Sequence, residues 1–303
     1  LSERHSVTVF TLRYDPALPA VDHDAGVQVI RVPYNTRRPF GFTWLSSDDL
    51  VSELRQDKID VLQLHGVTFP NLALQVASAA RRLNVPTVLV PHGLVEAYEG
   101  MPDGTRWRRG LYHLATRPLL AATTRLCTRI ALTSTAEGDL IGRLSRHEAV
   151  TTVVYNGFEP PKREHASGLR FRREHNLGDS LVVLHVATLK PNKGHRDMLN
   201  ALPAITERFP NVCYVSIGDT EGLWKEFAHN VMTHALDKGL ASKSRFLGHV
   251  PDEVVADAYA AADIVVVPSL TETFPLAVLD GLAWEKAIVA TRVGGIPEII
   301  TDR

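Results

Sequence analysis

The sequence predicts the α/β class, with two successive parallel-sheet domains. Three observations predict it. The chain is 303 residues long, and domains of about 150 residues give a prior of about two. Short β-branched and aliphatic runs alternate with apolar patterns at helical spacing along the chain, as in strand–helix crossover units. The strand candidates are also continuous apolar runs, as buried parallel strands require.

The elements follow in order. Val7-Thr8-Val9-Phe10 and Val27–Val32 read as strands, and Leu50–Gln56 as helical. Val61-Leu62-Gln63-Leu64 is a strand ending at His65-Gly66. The apolar stripe from Leu72 to Leu83 predicts a helix, and Thr87-Val88-Leu89-Val90 a strand ending at Pro91-His92-Gly93. Arg106–Thr124 reads as a helix, Arg129–Leu132 as a strand, Ala136–Leu144 as a helix and Val153–Tyr155 as a strand. Polar, proline-bearing and then charged residues break this rhythm over 157–178, which marks a boundary. The resulting division is a first domain over 1–160, a linker over 161–178 and a second domain over 179–303. In the second domain, strands are expected at Leu181–Leu184, Val212–Ile217, Arg245–Leu247, Ile264–Val267 and Ala287–Ala290. Helices are expected at Leu223–Lys238 and Phe274–Trp284.

Composition excludes several classes. Hydrophobic residues make up 45% and charged residues 22%, with a formal net charge of -1. That is a globular profile, not a disordered or fibrous one, and the charge balance disfavours a nucleic-acid binder. The two cysteines, Cys127 and Cys213, cannot build a disulfide framework, so a reducing, cytoplasmic compartment fits better than secretion. No stretch approaches the roughly 18 apolar residues of a spanning helix. The chain starts at Leu1 and stops directly after an apolar run, which reads as a piece trimmed at both ends.

Ligands of such folds sit at the carboxyl ends of parallel strands. The strand-terminal loops here carry His65-Gly66, His92-Gly93, Asn156-Gly157, Lys190–Gly194, Gly218-Asp219 and Gly294-Gly295, which points to a ligand between two facing domains. The segment from Pro268 to Leu282 is the most informative. Pro275 suits the first turn of a helix, Glu272 precedes that helix, and Asp280 lies about two turns on. Two such carboxylates can bind sugar hydroxyls, and the helix start suits a phosphate; a capped, solvated helix would read the same way. Lys190–Gly194 is a Lys-bearing turn after a strand, able to neutralise a phosphate or simply to carry surface charge, and its spacing is not that of a P-loop. Gly294-Gly295 allows either close backbone approach to a ligand or a tight strand–helix turn. Of the 13 histidines, His92 ranks first as a reacting group, then His65, then His185.

Taken together, the second half resembles the donor domain of glycosyltransferase family 4, retaining enzymes of the GT-B fold. The resemblance rests on Ala187-Thr188-Leu189-Lys190-Pro191-Asn192-Lys193-Gly194, Gly218-Asp219, Phe246-Leu247-Gly248, Pro268-Ser269, Glu272 to Asp280, and Gly294-Gly295-Ile296-Pro297-Glu298, in matching order and spacing. The first half resembles the acceptor domain more loosely, through residues 1–9, His65-Gly66, His92-Gly93, Ser134 and Asn156-Gly157. What the resemblance implies is a GT-B fold, two facing Rossmann-like domains with the active site in the cleft. It implies a metal-independent retaining transfer of a sugar from a UDP- or GDP-linked donor to an acceptor hydroxyl. By the same resemblance, Lys193, with Gly194 and Thr188, would hold the diphosphate. Glu272 would face the transferred sugar, helped by the backbone of the segment Thr273, Phe274, Pro275 and Leu276. Asp280 would bind the ribose, Gly218, Phe246 and Leu247 would line the nucleotide, and His92 with His65 would lie on the acceptor side. Glu272, His92 and Lys193 are thus the expected catalytic residues.

The sequence departs from the family pattern in three ways. Thr188 stands where the family often has an Arg, Asp280 replaces a Glu, and the family's first strand and closing helices are not seen. The acceptor expected from the resemblance is a cell-surface glycan or a lipid-linked sugar. A run from Gly104 to Ala136 without acidic residues, bearing Arg106, Arg108, Arg109, Arg117, Arg125 and Arg129 with Trp107, Leu111 and Tyr112, can meet anionic headgroups at the inner membrane face. It can equally be a solvated basic helix. Two other functions fit the same fold: a catalytically inactive nucleotide-sugar-binding or partner subunit, and another GT-B enzyme such as a phosphorylase or epimerase.

Overall fold

A computed structural model describes residues 4–13, 15–33, 54–55, 59–67, 70–93, 106–145, 151–161 and 163–301. The five strands of the second half lie where expected, and two helices that the sequence reading did not name, His195–Arg208 and Asp252–Ala261, pack on them. Strands β8 (Leu181–Val186), β9 (Val212–Ile217), β10 (Ser244–Phe246), β11 (Ile264–Val267) and β12 (Ala287–Ala290) form one sheet in the order β10-β9-β8-β11-β12. All four pairings are parallel. Successive side chains of a strand point to opposite faces, and each face here has its own core. Val182, Leu184, Cys213, Val215, Ile217, Val265 and Val267 enter one core, with Ala258 and Tyr259 of α7 (Asp252–Ala261) and Val278 of α8 (Leu276–Ala283). Val183, Val212, Tyr214 and Val266 enter the other, with Leu199 and Leu202 of α5 (His195–Arg208) and Val231 of α6 (Lys225–Asp237). Covering both faces explains why β9 is buried at every position and why its sequence does not alternate.

The expected linker over 161–178 holds a helix, α4 (Gly168–Glu174), capped by the Ser167 hydroxyl. Its Phe171 is 1% exposed and belongs to the first of these cores. The charged sequence around Phe171 hides this helix, because only its two apolar residues, Leu169 and Phe171, mark it. Phe171 alone supplies the burial.

The first half is less regular than expected. Strands β4 (Leu62–His65), β5 (Thr87–Val90), β6 (Arg129–Leu132) and β7 (Thr151–Val153) form a parallel sheet in chain order. A separate sheet holds β1 (Thr8–Arg13), β2 (Val21–Asp24) and β3 (Val27–Pro33), in the order β1-β3-β2, and β2 runs antiparallel to β3. The sequence reading missed β2. Its turn is nevertheless written at Ala25-Gly26, where both residues have positive φ, the geometry of the two-residue hairpin turn that matches strand twist.

Helices α1 (Pro70–Arg82), α2 (Arg106–Leu126) and α3 (Thr135–Ser145) lie along the four-stranded sheet. Asn84 in the left-handed region ends the turn after α1, as a C-terminal cap does. Of the expected helix at Leu50–Gln56, only Leu54 and Arg55 are described, and both are helical. Arg106, Arg108 and Arg109 fall on the first turn of α2, and their side chains lie outside the described part. Arg117, Arg125 and Arg129 are exposed. Among the described residues no helix is long and apolar enough to cross a membrane.

Candidate functional site

The strand order of the second sheet reverses direction beside β8, between β9 on one side and β11 on the other. Such a switch point opens a crevice at the carboxyl ends of the strands. The segments after β8 and β11 therefore meet there. After β8 a 3₁₀ turn at Pro191–Lys193 leads to Gly194 at φ 72° and into α5. A Cβ on Gly194 would lie 1.9 Å from the Pro268 carbonyl oxygen, so only glycine lets this turn close on the exit of β11. Asn192, 2% exposed, accepts from the Leu270 N–H through its backbone carbonyl at 2.8 Å, and its side chain donates to Thr271 Oγ1 at 3.3 Å.

These contacts fix the two charged groups that the sequence singles out. Lys193 Nζ donates to Glu272 Oε1 at 2.7 Å, and Ser269 Oγ donates to the same oxygen at 2.7 Å. The side chains are 16% and 5% exposed. Glu272 is thus a buried carboxylate whose charge is met inside the protein, as burial demands. Three residues on, Pro275 precedes α8 in extended conformation, one position earlier than the sequence reading placed it. The first N–H groups of α8 face the end of this loop, where a helix leaves donors free for an anion.

Gly294-Gly295 turns out to serve the protein's own backbone. A Cβ on Gly294 would lie 1.5 Å from the Glu272 carbonyl oxygen, and one on Gly295 2.1 Å from that of Thr273. The glycines let the segment after β12 press directly on the loop that carries Glu272. Gly218 plays the same part on the other side, where its missing Cβ would meet the Ala187 carbonyl oxygen at 2.0 Å. Gly218 N also donates to Gly248 O, and Leu247 N to Ser216 O. Thr188, Gly218, Phe246 and Leu247 therefore line consecutive strand ends. Asp280 behaves differently. Its carboxyl lies against buried Tyr259 of α7, and burial raises its pKa above the ordinary carboxylate value while the Tyr259 contact opposes the rise. The structure brings Lys193 and Glu272 together in direct contact and places Asp280 with Tyr259.

Beneath the Thr188 loop lies a buried polar cluster that the sequence reading did not anticipate. Tyr214 Oη lies 2.8 Å from His185 Nδ1 and 3.1 Å from His195 Nδ1, and His195 Nε2 lies 3.3 Å from the Thr188 carbonyl oxygen. A carbonyl only accepts, so His195 carries its proton on Nε2. Its Nδ1 then accepts the Tyr214 hydroxyl proton, and His185 Nδ1–H donates to the Tyr214 oxygen. This assignment needs the His195 ring neutral, since its Nδ1 accepts. Burial lowers both pKa values, that of His195 to about 4. His185, ranked third as a reacting group, is 1% exposed and serves this cluster.

On the first half, His65 ends β4 and His92 follows β5. His65 Nδ1 and His92 Nε2 are 2.7 Å apart, with the rings stacked at 5.0 Å. One nitrogen of the pair must carry a proton and the other must not. Burial, and then repulsion from His92, lowers the His65 pKa. His92 sits in the left-handed region at φ 51°. The adjacent Gly93 N–H donates to Glu137 Oε1 at 2.8 Å, while Glu137 Oε2 accepts from Thr133 N and Thr133 Oγ1. Glu137 was missed, although its signal is present. Ser134-Thr135-Ala136-Glu137 has the capping-box spacing, and Glu137 N donates to Ser134 Oγ.

The halves meet at Glu298, the last residue of the Gly-Gly segment quoted above. Its carboxylate accepts from Thr135 N, Thr135 Oγ1 and Ala136 N at the start of α3, and from Tyr155 Oη just after β7. The Tyr155 ring stacks on Phe274 with centroids 5.1 Å apart. Neither Thr135 nor Tyr155 was singled out by sequence.

The fold and this row of strand ends define a two-domain GT-B architecture, two Rossmann-like α/β halves joined along their strand ends. A family model described as Glycosyltransferase Family 4 matches residues 1–161, and one described as Glycosyl transferases group 1 matches residues 180–303. The chain belongs to this family of sugar-transferring enzymes. It is 26% identical to an uncharacterized glycosyltransferase of Methanocaldococcus jannaschii, over 98% of this chain and 74% of the relative. It is 25% identical to the GPI3 subunit of phosphatidylinositol N-acetylglucosaminyltransferase of Saccharomyces cerevisiae, over 98% of this chain and 63% of that protein. The chain thus spans about two thirds of its relatives. Its fold is shared with Anabaena HepE, solved in complex with UDP-glucose, at a TM-score of 0.69 and 19% identity, covering 90% of this chain and 70% of that one.

Proposed function

We propose that this chain transfers a sugar from a nucleotide-sugar donor to an acceptor hydroxyl with retention at the anomeric carbon. The observation that carries the reading is the Lys193–Glu272 pair at the switch point, beside the start of α8. In this reading Lys193 moves its charge to the donor diphosphate and Glu272 is freed to face the sugar. The bond from the anomeric carbon to the diphosphate oxygen breaks, and the acceptor oxygen bonds to the same face of that carbon. The acceptor proton passes to the leaving diphosphate. Stabilising that leaving charge is the main electrostatic task, met here by Lys193 and helix N-termini without a metal ion. A covalent route would need a carboxylate poised to attack the far face of the anomeric carbon; the reading proposed instead gives Glu272 the sugar hydroxyls and takes the front-face route. Phe246 and Leu247 take the base side, Asp280 the ribose, and His92 with His65 the acceptor side.

The acceptor proposed is a membrane or cell-surface glycan, reached at the inner membrane face through Arg106, Arg108 and Arg109. The printed name of the yeast relative, a phosphatidylinositol glycosyltransferase subunit, supports a lipid-linked acceptor. A second reading, a nucleotide-sugar-binding subunit without turnover, is favoured by the placement of Asp280 against Tyr259. Calorimetric titration of UDP, GDP and ADP into the chain and into Lys193→Ala and Glu272→Ala tests the site. Saturable binding of one nucleoside diphosphate that weakens in Lys193→Ala is expected. Absence of binding by the chain, including when it is extended at both ends, rejects the site.

A further inference from the structure

We propose that Glu298 and Tyr155 form a positioning unit through which the first half of the chain sets the loop carrying Glu272. The inference rests on the donor-site reading above and adds to it residues that make no claim to touch the donor. Three observations carry it. First, one carboxylate gathers donors from the opposite half. Thr135 N lies 2.9 Å from Glu298 Oε1 and 3.1 Å from Oε2, Thr135 Oγ1 2.7 Å from Oε1, Ala136 N 3.3 Å from Oε1, and Tyr155 Oη 3.2 Å from Oε2. The carboxylate sits at the N-terminus of α3, an 11-residue helix, where both the free N–H groups and the dipole favour negative charge.

Second, the Glu298 segment presses on the loop. Between Gly295 and Glu298 the chain makes a single turn, α9 (Ile296–Ile299), anchored by buried Ile296. Gly294 and Gly295 lie so close to the carbonyls of Glu272 and Thr273 that neither could carry a Cβ without displacing them. Fixing Glu298 to α3 therefore fixes the surface on which the backbone of Glu272 rests.

Third, the same tyrosine that donates to Glu298 holds the loop from its other side. The rings of Tyr155 and Phe274 stack at 22°, and Phe274 is two residues from Glu272. Tyr155 is 51% exposed, so core packing does not by itself call for an aromatic ring there. The loop from Ser269 to Pro275 has no regular structure of its own. Its register against Lys193 is set by these two external contacts, together with Ser269 and Asn192. Reacting groups need placement to a fraction of an ångström, and an ångström of error costs on the order of a hundredfold in rate.

The test uses Tyr155→Phe, which keeps the ring and loses the hydroxyl, Tyr155→Leu, which loses both, and Glu298→Gln, which loses the charge. The first readout is hydrogen exchange of the free protein over Pro268–Val278, which needs no nucleotide. Exchange there should quicken about tenfold in Tyr155→Leu and Glu298→Gln, with the core strands Leu181–Val186 and Val212–Ile217 unchanged and Tyr155→Phe in between. The second readout is kinetic. The nucleoside-diphosphate Kd should stay within about twofold while kcat falls on the order of tenfold, and Tyr155→Phe should recover most of the kcat that Tyr155→Leu loses. Unchanged exchange over Pro268–Val278, or equal quickening across the core strands, overturns the positioning unit. Should the wild-type chain bind no nucleoside diphosphate, the donor-site reading fails by itself, and exchange still decides whether Tyr155 and Glu298 set the loop.

Discussion

Lys193 Nζ and Glu272 Oε1 lie 2.7 Å apart, with Ser269 Oγ on the same oxygen. The pair joins the segments after the two strands that flank the switch point, so it is a structural tie, and in the proposed reading it is also the charge that meets the donor. Removing one member leaves the other in a dry site. Lys193→Ala is expected to lower unfolding free energy by about 3 kcal/mol, the cost of stranding a buried charge. It is also expected to weaken nucleoside-diphosphate binding roughly tenfold to a hundredfold, the worth of a charge-assisted contact. Glu272→Ala should leave nucleoside-diphosphate binding nearly intact and lower affinity only for the sugar nucleotide. Denaturation curves and calorimetry read the two effects separately.

The glycines divide into those that need space and those that need only a backbone angle. Gly294 needs both, with φ at 50° and a Cβ position 1.5 Å from the Glu272 oxygen, whereas Gly222, at φ 64°, has nothing within 4 Å. Gly222→Ala should cost only about 1 kcal/mol, the penalty of a left-handed alanine. Gly294→Ala must push the Glu272 backbone away and should cost about 3 kcal/mol or more. Thermal unfolding of the two variants checks this, and equal shifts would mean the Glu272 loop yields freely.

Stability should also depend on acid. His185 and His195 are neutral and buried, with His195 lowered to about 4. In the unfolded chain a histidine takes its proton near 6.5. Between these values the unfolded state binds more protons, so stability is intact above pH 6.5 and falls as pH drops towards 4. For His195 alone the loss reaches about 3 kcal/mol. Replacing it by Phe should flatten this dependence in urea titrations at pH 7, 6, 5 and 4, leaving the share due to His185. A slope identical to that of the wild type would place the titration elsewhere.

How much of this the sequence made legible depends on how local the cause is. The second sheet was legible because its strands are buried on both faces and so read as unbroken apolar runs. Lys193, Gly194 and Glu272 were legible because short spacings mark them at strand ends. β2 was not, since Val21-Asp22-His23-Asp24 is mostly polar and pairs only along one edge. The contacts of Glu298 were invisible because its partners lie 143 to 163 residues away. No periodicity encodes a contact between Tyr155 and Phe274. Gly294-Gly295 shows the limit from the other side, for the letters announced a close approach and could not say to what.

At His92 the backbone and the proposed function pull in opposite directions. A non-glycine residue at φ 51° bears roughly 1–2 kcal/mol of strain that glycine would not. Glu137 holds the turn by accepting from the neighbouring Gly93 N–H, and the imidazole adds its contact with His65. His92→Gly should therefore fold with a stability within about 1 kcal/mol of the wild type, the relief offsetting the lost His65 contact and the added freedom of the unfolded chain. Its transfer activity should fall by two orders of magnitude or more, within the range for a lost acid–base or positioning group. Glu137→Ala should do the reverse. It leaves three donors of the Gly93 and Thr133 turns without their acceptor and should lower stability by about 2–3 kcal/mol, with activity falling in step with the folded fraction. If His92→Gly lost stability but kept full turnover, the imidazole would be a support of the turn and the acceptor-side role would pass to another residue.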